Sequence, residues 1–222
     1  MNQARFSKLS YVLLLLVLAA CQAQPTSVPA TASLPPTAVL STAAPTTPAT
    51  QAPTTYSPRK FELPMSVTFG PEWHVDTDLP DEFLLVGGTQ AYEGVELLFM
   101  LVKDASIADP SSTATLPWPD DFVAYLHSNG YLEVGKQVPI TVGGVDGLQI
   151  DVTVKKTGEQ RTLIKLAAHD WFYRDYDQDW RFIILDNVNG KRLLIGTTEA
   201  PEGFSAAAEL AQKVIDSVEF SK

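Results

Sequence analysis

The sequence predicts an α+β domain built on an antiparallel sheet. Three observations carry that expectation. From about Arg59 onward, short segments of alternating apolar and polar residues recur. Neighbouring segments are joined by turn signals rather than by helices. Only two stretches show helical spacing, and they stand well apart in the chain.

The first strand is read at Met65, Val67 and Phe69, which alternate with Ser66 and Thr68. Phe83 to Val86 is a short apolar run that Gly87 and Gly88 are expected to end. Val95 to Val102 is a nearly unbroken apolar run, the pattern of a central strand buried on both faces. Leu148, Ile150, Val152 and Val154 alternate with Gln149, Asp151 and Thr153, as a half-buried strand requires. Leu163 to Ala167, Phe182 to Leu185 and Leu193 to Thr197 follow, and Asn187 to Gly190 between the last two has hairpin chemistry. One helix is expected from near Pro119, with Asp120 and Asp121 in its first turn, Phe122, Tyr125 and Leu126 on one face, and Gly130 as its stop. A second is expected from about Ser205 to Asp216, on the stripe Ala207, Leu210, Ala211 and Val214. Val218 to Phe220 reads as a closing strand.

Gln22 to about Pro58 differs sharply in composition. It is almost all Ala, Thr, Pro, Ser and Gln, with no charge and a single aromatic, Tyr56. Such a chain buries too little apolar area to offset its ordering entropy, so a disordered tether biased to polyproline II is expected over 21–58. Its extended reach is on the order of 100 Å at about 3.1 Å per residue. It serves as a spacer, or as filler with no length requirement; its Ser, Thr and Pro content would also suit O-glycosylation.

The first 20 residues have the parts of an export signal: Arg5 and Lys8, an apolar run from Tyr11 to Leu18, then Ala19 and Ala20. The run is shorter than the roughly 20 residues that span a bilayer core. Leu18, Ala19, Ala20 and Cys21 together resemble the lipobox of bacterial lipoproteins. That resemblance implies cleavage before Cys21, diacylglyceryl attachment to its thiol and anchoring at the extracytoplasmic face of a membrane, the outer membrane included where the envelope has one. Two or more acyl chains anchor stably where one does not. Cys21 is the only cysteine, so the domain behind it is expected to rely on a packed core and not on disulfides. Losing Arg5 and Lys8 with the signal takes the formal charge from −10 to −12. So acidic a chain argues against nucleic acid and against direct adsorption to anionic lipid.

A second resemblance spans most of the domain. Trp73, the hairpin from Thr141 to Gly147 and a terminal helix running into Val214 to Phe220 resemble the PsbP/Mog1-type α/β/α sandwich. It implies an antiparallel sheet flanked by helices, in a fold that also occurs in bacterial lipoproteins, and no particular chemistry.

The candidate sites are few. No Gly-x-Ser-x-Gly elbow occurs. His74 with Asp76, or His169 with Asp170, would supply a base and an orienting carboxylate for an exported hydrolase, but no serine stands out as nucleophile. There is no His-Glu-x-x-His and no cysteine pair, so no metal and no cofactor is expected. Gly143, Gly144 and Gly147 lack the lysine and helix of a phosphate loop and read as a tight turn. The richest stretch, Asp170 to Trp180, holds five aromatics and four carboxylates. Trp171, Tyr173, Asp175, Tyr176, Asp177, Asp179 and Trp180 would stack on and hydrogen-bond a sugar, solute or peptide; the plainer reading is a strand end and a solvated turn. Asp175, Asp177 and Asp179 imitate half of a calcium loop, but Trp180 stands where that loop needs glycine and Asp186 where it needs glutamate. The reading as a whole is a lipid-anchored extracytoplasmic binding or accessory module for an unidentified protein or envelope ligand. The alternatives are the hydrolase and a glycan- or solute-binding domain.

Overall fold

The structure, a computed structural model, describes residues 52–89, 92–103, 105–109, 114–155, 161–166, 170–173 and 179–221. In chain order the strands and helices begin with β1 (Thr54–Tyr56), β2 (Met65–Phe69), β3 (Trp73–Asp78), β4 (Glu82–Thr89) and β5 (Tyr92–Leu101). Next come β6 (Ser106–Ala108), β7 (Thr115–Pro117), α1 (Phe122–Ser128), β8 (Leu132–Val134), β9 (Val138–Val142) and β10 (Val145–Val154). The chain continues through β11 (Arg161–Lys165), β12 (Asp170–Tyr173), β13 (Asp179–Val188), β14 (Lys191–Glu199), α2 (Pro201–Ile215) and β15 (Glu219–Phe220).

The main sheet runs β3-β4-β5-β14-β13-β10-β8, with β9 also on β10, and all its pairings are antiparallel. Smaller sheets join β1-β2-β15 and β12-β11-β6-β7. Alternation divides the side chains of the central strands between two cores. Leu97, Phe99, Ile183, Leu185 and Ile195 face one core, which also holds Met65 and Val67 of β2 and Ala207, Ala211 and Val214 of α2. Leu98, Met100, Phe182, Ile184 and Leu194 face the other, with Phe122 and Leu126 of α1, Ile107 of β6 and Leu163 and Ile164 of β11. β5 is therefore buried on both sides, as its apolar run requires.

Several expectations change. Thr54–Tyr56, expected in the tether, is a strand on β2. Tyr56 stacks on Phe83 at 5.8 Å, and the backbone N–H groups of Arg59, Lys60 and Phe61 donate to the Asp78 carboxylate at 2.9, 3.1 and 3.1 Å. These long-range contacts outweigh the local composition that marked the segment as unfoldable. Gly87 and Gly88 do not end β4; the strand bulges there and continues. A Cβ on Gly87 would lie 2.5 Å from the Trp73 indole, so glycine makes room for the ring. Asp121 is the N-cap of α1, its carboxylate accepting from the Ala124 N–H at 2.8 Å, rather than a first-turn residue. That helix stops at Ser128, with Asn129 as C-cap ahead of Gly130. α2 starts at Pro201, four residues earlier than expected, because proline is accepted in a first turn. The Gly143-Gly144 pair is the expected tight turn, both residues having positive φ, and it joins β9 to β10.

Candidate functional site

The stretch favoured from sequence is divided by the fold. Trp171 and Tyr173 belong to β12, opposite Ile164 and Arg161 of β11. Asp175, Tyr176 and Asp177 lie outside the described residues, as do His169 and Cys21. Asp179 opens β13 and accepts a hydrogen bond from the Thr153 hydroxyl. Trp180, one of the aromatics weighed for stacking on a ligand, is only 2% exposed. It lies on the same strand face as Phe182, with ring centroids 5.5 Å apart, inside the second core. Burying so large an aromatic area is worth more to the fold than leaving it in a turn, and it removes Trp180 from any surface site.

His74 is exposed on the edge strand β3. Its intended partner Asp76 accepts instead from the Thr77 hydroxyl at 3.0 Å, and His74 and Asp76 share no hydrogen bond. The base and its orienting carboxylate are thus not coupled in the way a hydrolase needs.

A groove that the sequence did not suggest lies between the start of α1 and the β13–β14 hairpin, with a volume of about 260 Å³. Phe122, Val123, Leu148 and Ile184 line it with apolar surface, and Asp120, Asp121, Asp186 and Arg192 supply its polar lining. Three local features build it. Capping by Asp121 turns the chain into α1 and leaves Asp120 exposed beside the opening. The aromatic ladder Trp118, Phe122 and Phe182, with centroids 4.7 and 5.6 Å apart, fixes the helix on the sheet. Arg192 Nε meets Asp186 Oδ1 at 2.9 Å across the hairpin, and Arg192 Nη1 donates to the Pro119 carbonyl at 3.4 Å. The one signal legible beforehand was the opposite charge pair, Asp186 and Arg192, flanking the Asn187 to Gly190 turn.

Near the β3–β4 turn, two carboxylates sit in opposite electrostatic settings. Burial would raise Asp78, but the backbone N–H donors of Arg59, Lys60 and Phe61 outweigh it and hold the group below the ordinary aspartate range. Glu82 is fully buried, and burial, reinforced by Asp81, Asp76 and Glu96, pushes it up to about 7. Glu96 is likewise raised, first by burial and then by Asp76 and Glu199.

The fold and groove together define a small antiparallel α+β domain with a shallow, acid-rimmed surface site. No protein-family model matches the chain, and no curated protein matches it. Among solved structures it is similar to cyanobacterial PsbP from Synechocystis sp. PCC 6803, with 11% identity, 82% of this chain and 99% of that chain covered, and a TM-score of 0.41. It is also similar to LpqN, described as involved in cell envelope biogenesis of Mycobacterium tuberculosis, with 10% identity, 77% and 85% coverage, and a TM-score of 0.37. Among the described residues, no helix is long and apolar enough to cross a membrane.

Proposed function

We propose that the chain is an exported lipoprotein whose Cys21 carries the lipid anchor and whose α+β domain, a PsbP/Mog1-type α/β/α sandwich, is a non-enzymatic binding or accessory module outside the cytoplasm. The observation that carries this reading is Leu18-Ala19-Ala20-Cys21 at the end of a short apolar run, followed directly by an uncharged Pro- and Thr-rich tract. Lipid supplies the membrane affinity, the tract supplies the reach, and the domain supplies recognition. A hydrolase built on His74 is disfavoured, because His74 is exposed and its neighbour Asp76 is engaged by Thr77. The reading is tested by fractionating cells that express Cys21→Ala. The variant is expected to leave the membrane and detergent fraction; a variant that still partitions with detergent defeats the anchor.

A further inference from the structure

We infer that the groove between α1 and the β13–β14 hairpin receives a lysine or arginine side chain from a basic segment of a partner protein. The inference rests on the reading of the domain as a binding module and names the chemistry of its partner. The groove has two unlike parts. Its floor is apolar: Phe122, Val123 and Ile184 are buried, and Leu148 is the floor residue most open to solvent. Its rim is acidic. Arg192 is already committed, its charge offset by Asp186 and a second nitrogen on the Pro119 carbonyl. Among the described residues, neither Asp120 nor Asp121 forms an ion pair, Arg192 being taken by Asp186. The Asp121 carboxylate caps Ala124, and Asp120 accepts no hydrogen bond among the described residues.

A long aliphatic cation suits both parts at once. Its methylenes lie along the apolar floor while its head stays hydrated beside the carboxylates. A neutral aliphatic side chain would desolvate those carboxylates without compensation. An anion would meet the same charges as repulsion. At about 260 Å³ the groove holds one extended side chain rather than a helix face. The chain's net charge of −10 would draw a basic partner toward it from a distance and make the encounter sensitive to salt.

The test uses the full-length chain in detergent, with labelled methyl groups, titrated with the peptide acetyl-Gly-Arg-Gly-amide and with its citrulline counterpart, which keeps the shape and loses the charge. The arginine peptide is expected to shift the Val123, Leu148 and Ile184 methyl signals saturably, with a Kd on the order of 1 mM. The citrulline peptide is expected to bind at least about tenfold more weakly. Asp120→Asn combined with Asp186→Asn should weaken the arginine peptide. Leu148→Lys, which brings a cation of the chain's own into the groove, should abolish the shifts while leaving distant signals in place. Equal binding of the citrulline peptide, no saturable shift at those methyls by about 10 mM, or unchanged binding to Leu148→Lys would each overturn the proposal. None of these outcomes touches the anchor, which fractionation of Cys21→Ala reads separately.

Discussion

The two faces of the main sheet are closed by different means. One is covered by both ends of the domain: α2 and β15 from the C-terminal end, and the strap from Thr54 to Leu63 from the N-terminal end. That strap is pinned by polar contacts. Asp78 gathers three backbone N–H groups, and Lys191 Nζ donates to the Glu62 carbonyl at 2.9 Å. The other face is closed by mid-chain elements, α1, β6 and β11, and by a row of aromatics in mutual contact. It also carries the groove, and Glu82 shares strand parity with Leu84 on that side. On the proposed reading the comparison separates holding from recognition: the first face takes up the N-terminal strap, and the second carries the groove proposed to meet a partner.

The largest expected effect is on the second core. Phe182 is fully buried and edge-on to Phe122 at 5.6 Å. Phe182→Ala should cost about 3–5 kcal/mol in denaturant unfolding and loosen α1 as well. A loss under about 1 kcal/mol would mean that α1 is held by something other than this aromatic contact.

The two carboxylates sharpen the contrast through pH. Glu82 titrates at about 7 when folded, above its ordinary value. The folded state therefore holds a proton that the unfolded state releases, and this contribution is complete below the unfolded pKa of 4.5 and is lost as pH rises through about 7. Glu82→Gln should flatten that decline and be the more stable protein at pH 8 by about 2–3 kcal/mol. Unchanged pH dependence would show that Glu82 is not the group responsible. Asp78 has the opposite sign. Its folded pKa is lowered, so its contribution is present above the unfolded value of 3.8 and fades as pH falls below it. Asp78→Ala should cost about 1.5–3 kcal/mol, less than the loss of Phe182. Its effect should be local, with faster amide exchange at Arg59, Lys60 and Phe61 and little change in α1. Acceleration spread evenly over the domain would remove the distinction between the faces.

The strands β2, β5, β10, β13 and β14 are legible in the sequence because burial writes its period into them directly. The β13–β14 hairpin is legible through Asn187 and Gly190, whose side chain and backbone N–H bond at 2.9 Å. β1 is hidden because its residues, Thr54, Thr55 and Tyr56, continue the composition of the tether, and their pairing with Val67 to Phe69 is set by tertiary contact. Trp180 misleads for a related reason: in a row of aspartates and aromatics, alternation does not tell which ring turns inward. The groove is the hardest to foresee. Its lining comes from α1, β10, β13 and β14, and tertiary contacts, the packing of Phe122 on Phe182 and the Arg192 bond to the Pro119 carbonyl, bring Asp120 near Leu148 and Arg192.

The anchor is the claim on which the division between holding and recognition depends, and intact mass spectrometry of the membrane-extracted protein tests it most directly. The mature chain is expected to begin at Cys21, with its thiol carrying diacylglycerol and its mass raised accordingly. A mature chain beginning at any other residue, or one in which Cys21 is an unmodified thiol, would contradict the account.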